Sequence, residues 1–255
     1  MKKLLLMALM AVAMTANAQD KKESSVDSHD VVTDDGGIQI SKGKDDNDRW
    51  SMHVALGVNI PQKADGHSFA PFRSWEFNLT LLQYDYTPKN SKTTLSAGLG
   101  FNWRSYTLSG HDNCFAKVGD YVAVGNVNDE IINLSSGSVS VGGVPSKLNN
   151  LSSTVSTTAI AMPLLIKQRF SKSFAISVGA QLNWNFYGRI HNYYEVGDDD
   201  VDTYTKKIGQ RPITVDVLGI LHFGKLGVYC KYSPMSVLKK DRGVEFKSFA
   251  AGIYF

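Results

Sequence analysis

The chain has 255 residues, 43% of them hydrophobic and 20% charged, with a net charge of +3. That apolar fraction excludes a wholly disordered chain, the mild charge argues against a nucleic-acid binder, and two cysteines exclude a disulfide-dense scaffold. The length allows one or two domains with a core of their own.

The chain opens with Lys2 and Lys3, an apolar run from Leu4 to Met14 and the small-x-small triplet Ala16-Asn17-Ala18. This is the pattern of a secretory signal peptide cleaved after Ala18. The run is too short for a spanning helix, which needs about 20 apolar residues, and Gln19 in place of Cys argues against a lipoprotein. Residues 19–49 then carry nine acidic and five basic side chains, which predicts an acidic, flexible periplasmic segment. Within it, Asp35-Gly36 between the β-branched runs Val31-Val32-Thr33 and Ile38-Gln39-Ile40 is a hairpin signal.

From Trp50 to Phe255 the hydrophobic period is two, the strand period. The first run is Trp50, Met52, Val54, Leu56, Val58 and Ile60, followed by a long connection over 61–73. Trp75, Phe77, Leu79 and Leu81 form the second, and a short turn at 87–92 leads to Leu95, Ala97, Leu99, Phe101 and Trp103. A long segment over 110–155, rich in Ser, Asn, Gly and Val, precedes Ile160, Met162, Leu164 and Ile166. After a short turn at 171–173 comes the clearest run, Phe174, Ile176, Val178, Ala180, Leu182, Trp184 and Phe186. A long connection at 197–210 leads to the sixth run, Ile213 to Phe223, and the tight turn Gly224-Lys225 to the seventh, Leu226, Val228, Cys230 and Tyr232. The last long connection, 234–243, leads to Phe249, Ala251, Ile253 and Phe255.

Alternation alone fits either a soluble, lipocalin-like barrel with its apolar residues inside or a membrane barrel with them outside. Three features select the second. Connections alternate short and long, as in outer-membrane barrels with short periplasmic turns and long extracellular loops. Aromatic residues gather at strand ends (Trp50, Trp75, Trp103, Phe170, Phe174, Phe223, Phe255), where membrane interfaces favour them. Strand charges (Glu76, Arg104, Lys167, Arg169, Arg189, Asp216, Lys231) share the polar parity, as the cost of a charge on the lipid face requires. Glu245 and Lys247 break that parity and are assigned to the outer rim. The expected fold is therefore all-β: an eight-stranded antiparallel up-and-down transmembrane β-barrel over 50–255, in the outer membrane of a Gram-negative-type bacterium. In lipid every backbone donor needs a partner, so the sheet has to close.

The stretch Ala161-Met162-Pro163-Leu164-Leu165-Ile166-Lys167-Gln168-Arg169-Phe170, followed after a short turn by Phe174-Ala175-Ile176-Ser177-Val178-Gly179, resembles the Pro-Leu-Leu-Leu-Lys strand and succeeding Gly-bearing strand of PorT-like outer-membrane β-barrel proteins. The terminal Ala251-Gly252-Ile253-Tyr254-Phe255 is similar to the aromatic signal read by the outer-membrane assembly machinery. The resemblance implies the same barrel and the same compartment, with Phe255 as the assembly signal.

Glu76 with Arg104, and Asp216 with Lys231, are expected as lumen charge pairs on neighbouring strands, filling the interior or lining a narrow pore. His53, Lys167, Arg169 and His222 are expected at the periplasmic mouth. Asp198-Asp199-Asp200-Val201-Asp202 is an acidic loop with an incomplete Ca²⁺ pattern, lacking the glycine and final glutamate of an EF-hand. His111-Asp112, His191 with Glu195, and His67-Ser68 are the histidine pairings an outer-membrane hydrolase would use, but none accompanies a Gly-x-Ser-x-Gly or metal-ligand spacing. Cys114, in the second long loop, and Cys230, on a lipid-facing strand position, are expected as free thiols. These patterns predict a non-enzymatic envelope barrel without cofactor or metal. It would contribute to the envelope or bind a protein or glycan partner through its loops, the 110–155 segment first. A narrow pore is the alternative, and a lipid-modifying enzyme the third.

Overall fold

The computed structural model describes residues 38–40, 48–62, 66–110, 113–126, 149–196 and 199–255. The signal sequence, most of the acidic segment, residues 138–141 of the second loop and the His111-Asp112 pair lie outside the described residues. Among those described, the regular structure is strand, with one short 3₁₀ turn at Pro71–Arg73.

In chain order the strands are β1 (Ile38–Ile40), β2 (Asp48–Pro61), β3 (Trp75–Tyr86), β4 (Thr93–Thr107), β5 (Asn113–Val118), β6 (Tyr121–Asn126), β7 (Asn149–Arg169), β8 (Phe174–Val196), β9 (Asp199–Lys206), β10 (Ile213–Phe223), β11 (Leu226–Ser233) and β12 (Ser248–Tyr254). Eight of them, β2, β3, β4, β7, β8, β10, β11 and β12, pair antiparallel with their neighbours, and β12 pairs back onto β2. The sheet therefore closes into an eight-stranded up-and-down barrel with no free edge along its shared length. At the seam Phe255 exchanges backbone hydrogen bonds with Val54, at 2.8 and 3.1 Å. Beyond Phe255 the freed edge of β2 is covered by β1, whose Ile38, Gln39 and Ile40 pair with Met52, Ser51 and Trp50. Ile38-Gln39-Ile40 thus pairs with the barrel; its partner in the Asp35-Gly36 hairpin, 31–33, lies outside the described residues.

The barrel is apolar outside and polar inside. On β10 the outward Ile213, Val215, Val217, Leu221 and Phe223 are exposed, while Thr214, Asp216, Leu218, Ile220 and His222 are buried. On β11, Leu226, Val228, Cys230 and Tyr232 face out and Tyr229 and Lys231 face in. A soluble binder would show the reverse, so the lipocalin-like alternative falls: this is the inside-out arrangement of a transmembrane barrel. Rings of aromatic contacts lie at both ends, Trp50–Tyr84 and Phe174–Phe223 near the short turns and Phe77–Trp103 near the long loops.

Among the described residues three irregularities interrupt the ladders, one between Asn149 and Ser152 at the start of β7 and two that reset the alternation within the strands. In β3 one residue is added at Leu81–Leu82, shifting register against both neighbours; both leucines face out, and Gln83 takes the inward parity. In β8 the added residue is Phe186, since Thr158 pairs with Tyr187 and Ala159 with Asn185. Past it Gly188, Ile190, Asn192 and Tyr194 are buried, and Arg189, His191 and Tyr193 point outward. Arg189 therefore does not join the lumen charges as its parity suggested; it stacks over the ring of Tyr204 at 5.5 Å. Glu245 and Lys247 need no exemption either, because β12 begins at Ser248 and both precede it.

β7 and β8 have 21 and 23 residues, well beyond the 9–11 or so that cross a membrane. Their excess rises past the barrel rim, joined by β9 on the β8 edge, so residues 199–206 are strand rather than loop. The Tyr121–Gly125 run is strand too, but it does not extend the barrel sheet. It forms β6 of a separate hairpin with β5.

Candidate functional site

The lumen is filled in layers. At the short-turn end His53 stacks on Tyr254 (5.0 Å between ring centres) and His222 meets the same ring edge-on at 5.7 Å. His53 lies 2.9 Å from the Ser51 hydroxyl and 3.2 Å from the Phe255 carbonyl oxygen; His222 lies 2.8 Å from the Ser177 hydroxyl. Lys167 is half-buried opposite Ser177 in register, and Arg169 is exposed one row further out. His222 and Arg169 both pair with Ala175, and Lys167 pairs with Ser177, so these side chains share the inward parity at the short-turn end, Arg169 being the exposed one. Above the belt, Ala55, Leu165, Leu218, Ile220 and Tyr229 form an apolar layer. The cavity left beside it, of about 20 Å³, has room for about one water.

The next layer carries four charges. Glu76 and Arg104 face each other on β3 and β4; Asp216 and Lys231 are diagonal across β10 and β11. The shortest contacts cross the lumen instead of following the sheet: Arg104 to Asp216, and Lys231 Nζ to Glu76 Oε1 at 2.6 Å. The neighbour contacts are longer, Arg104–Glu76 at 3.6 Å and Lys231–Asp216 at 3.9 Å. The four are one neutral cluster, each side chain 5% exposed or less. Asn183 Nδ2 donates to Asp216 at 2.7 Å and the Tyr229 hydroxyl to Glu76 at 3.2 Å. The cluster ties opposite walls of the barrel together, and it leaves no ring of like charge of the kind that selects ions.

Over the long-loop end sits a cap with a hydrophobic core of its own. Phe69 comes from the first long loop, Leu108, Phe115 and Val122 from the second, Ile208 from the third, and Val237, Leu238, Val244 and Phe246 from the fourth. Tyr106, Val155 and Ile190 at the barrel rim complete it. The β5–β6 hairpin is pinned to the fourth loop: Val122 N–H donates to Arg242 O at 2.9 Å, Val244 N–H to Val122 O at 3.0 Å, and Arg242 pairs with Asp120 at 2.9 Å. No periodic signal announces these apolar loop residues, so the cap has no signature along the chain.

Outside the cap, the β8–β9 hairpin presents a polar face. His191 Nε2 is 2.6 Å from Asp202 and its ring stacks on Tyr204 at 4.5 Å; its partner is thus Asp202 rather than Glu195. Tyr193 donates to Asp200 at 2.9 Å and to Glu195 at 3.2 Å, and these bonds, Asp200 first, push its phenol up to about 12. Asp200 and Asp202 are therefore engaged by side chains of β8.

Cys114 is fully buried against Leu151 and Tyr194, whereas Cys230 is exposed on the outer wall. Burial pushes the Cys114 thiol up to about 11, which leaves roughly one thiolate in a thousand at pH 8. In folded protein an impermeant maleimide at pH 8 is expected to leave Cys114 unmodified, with labelling only after denaturation, read by peptide mass mapping. Rapid labelling of the folded form would mean that the cap does not close over Leu151 and Tyr194.

No family model and no curated protein matches this chain. Among solved structures it is similar to the crystal structure of Ail, the attachment invasion locus protein of Yersinia pestis, at 12% identity, over 82% of this chain and 99% of that one, with a TM-score of 0.34. It is also similar to Ail in complex with the heparin analogue sucrose octasulfate, at 10% identity over the same shares, with a TM-score of 0.33.

Proposed function

We propose that this chain is exported by its first eighteen residues, assembled into the outer membrane as a barrel of the PorT-like kind, and acts there without catalysis. In this reading the long loops face the outside, and the barrel is a rigid base that holds a folded cap for a protein or glycan partner. The carrying observation is that four separate loops share one core over a lumen already filled by a neutral charge cluster. Ordering four loops costs conformational entropy, and a barrel needed only as a membrane element would gain nothing from it. Support for a binding role comes from the β8–β9 hairpin beside the cap, where Arg189, His191 and Tyr204 stack in the open and Tyr193 with Asp200 forms a hydrogen-bonded edge. Aromatic and charged groups pre-set in this way lose little freedom on binding.

The pore alternative is disfavoured by the same filling. Purified protein in a planar bilayer is expected to give no unitary conductance steps at physiological salt. Reproducible steps that disappear on substitution of Arg104 would overturn the scaffold reading in favour of a pore.

A further inference from the structure

The outer wall is not evenly convex. On the face of β3, β4, β7 and β8, close to the short turns, two rows of outward residues run side by side: Tyr86, Leu95, Ile166 and Val178, and next to them Tyr84, Ala97, Leu164 and Ala180. Ala97 is small between Tyr84 and Leu164, its direct partners in register. The result is an open apolar groove of about 550 Å³ lined by Tyr84, Tyr86, Leu95, Ala97, Leu164 and Ile166, among others. That is a furrow on the scale of a single acyl chain, and the wall it lies on is the one that meets lipid.

The rim above this groove is basic. The β3–β4 turn carries Lys89 and Lys92, and the β7–β8 turn carries Lys172, all three exposed. Arg169 N–H donates to Lys92 O at 2.9 Å, so the two turns are adjacent. Within 84–94 and 166–174 the one acid is Asp85, which accepts from Gln83 at 2.9 Å and from Ser51 at 3.3 Å. Leu95 is three residues from Lys92, roughly 8 Å along the barrel axis for a tilted strand, which is the depth at which an acyl chain starts below its phosphate. Lysine stems reach such a level while keeping their charge in water.

We propose that the groove and its basic rim bind an anionic glycerophospholipid of the leaflet bordering the short turns, with the phosphate among Lys89, Lys92 and Lys172 and one chain against Ala97. Charge complementarity decides the occupant: a zwitterionic lipid fills the groove equally well but gains much less from the rim.

The test uses the full mature protein, folded in detergent and titrated with phosphatidylglycerol or with phosphatidylethanolamine of the same chains, and retained lipid is read by native mass spectrometry. The wild type is expected to retain phosphatidylglycerol with a preference of roughly tenfold or more. Lys89→Gln/Lys92→Gln/Lys172→Gln, whose changes lie on exposed turns, should bring the two lipids close to parity. Ala97→Trp should lower retention of both, with folding of each variant checked by its heat-dependent mobility on a gel. Equal retention by the wild type would overturn the proposal whether or not the variants fold, as would a preference that survives the triple substitution. A mass doubling abolished by Ala97→Trp would also overturn it, assigning the groove to a second copy of the chain.

Discussion

Asp216→Ala is expected to destabilise the folded barrel by about 3–5 kcal/mol, the cost of breaking a buried ion pair from one side. Asp216 is fully buried and is the nearest carboxylate to Arg104, with Lys231 3.9 Å away and Asn183 donating at 2.7 Å. Its removal leaves two cations facing Glu76 alone, and Glu76 already takes Lys231 at 2.6 Å. Two positive groups then remain in a lumen whose neighbouring layer is apolar, where desolvation is not repaid. Removing a pair of opposite sign should cost far less. Glu76→Gln/Lys231→Gln keeps the cluster neutral and retains polar groups at both sites, so the double variant should be more stable than the sum of its single changes predicts, by about 1–3 kcal/mol. Urea titration in lipid vesicles, followed by tryptophan fluorescence, measures both quantities. Additive single and double effects would show that the four residues do not act as one cluster.

The parts of this fold that could be read from the sequence are those on which the bilayer imposes a rule. Lipid requires every outward strand position to be apolar, so Ile213 to Phe223 and Leu226 to Tyr232 announce their own inner and outer faces. The same rule placed Glu76, Arg104, Asp216 and Lys231 inside. It carried no information on which of them meet, because alternation describes neighbours in a sheet, whereas closure of the sheet brings β4 and β10, three strands apart around the ring, to face each other across the lumen. The cross-lumen contact of Arg104 with Asp216 is thus a product of curvature. Arg189 departs from the parity of its strand for a local reason: the bulge at Phe186 reverses the parity of everything after it in β8. A single inserted residue in a long strand leaves no signature until its partner strand is known. The cap was illegible for a third reason. Phe69, Leu108, Ile208, Val237 and Leu238 come from segments with no period, and only their convergence makes them a core.

The seam of the barrel depends on two glycines, and Gly252→Val is expected to abolish closure. Reading one row around the sheet, Tyr229 on β11 pairs with Gly252 on β12, Gly252 with Gly57 on β2, Gly57 with Glu76 on β3, and Glu76 with Arg104 on β4. Tyr229 reaches along this row, over both glycines, to donate its hydroxyl to Glu76. A side chain on Gly57 would strike the Tyr229 hydroxyl and the Ala251 carbonyl. One on Gly252 would strike the Leu56 carbonyl oxygen and the Gly57 backbone. The obstacle at Gly252 is the facing strand itself, which no rotamer change relieves, so β2 and β12 must separate. In lipid a separated seam leaves a ladder of unpaired backbone groups, each costing several kcal/mol, which together outweigh the typical total stability of about 5–15 kcal/mol. Gly252→Val should therefore fail to give the compact, heat-modifiable gel species, and Gly57→Ala should give it in reduced yield with the Tyr229–Glu76 bond lost. Gly219→Ala is the matched control: its new carbon would meet only the Cys230 sulfur, at an ordinary 3.5 Å, and folding should proceed as in the wild type. If Gly252→Val folded as readily as Gly219→Ala, the close approach of β2 and β12 at this row would be wrong, and with it the path by which Tyr229 reaches Glu76.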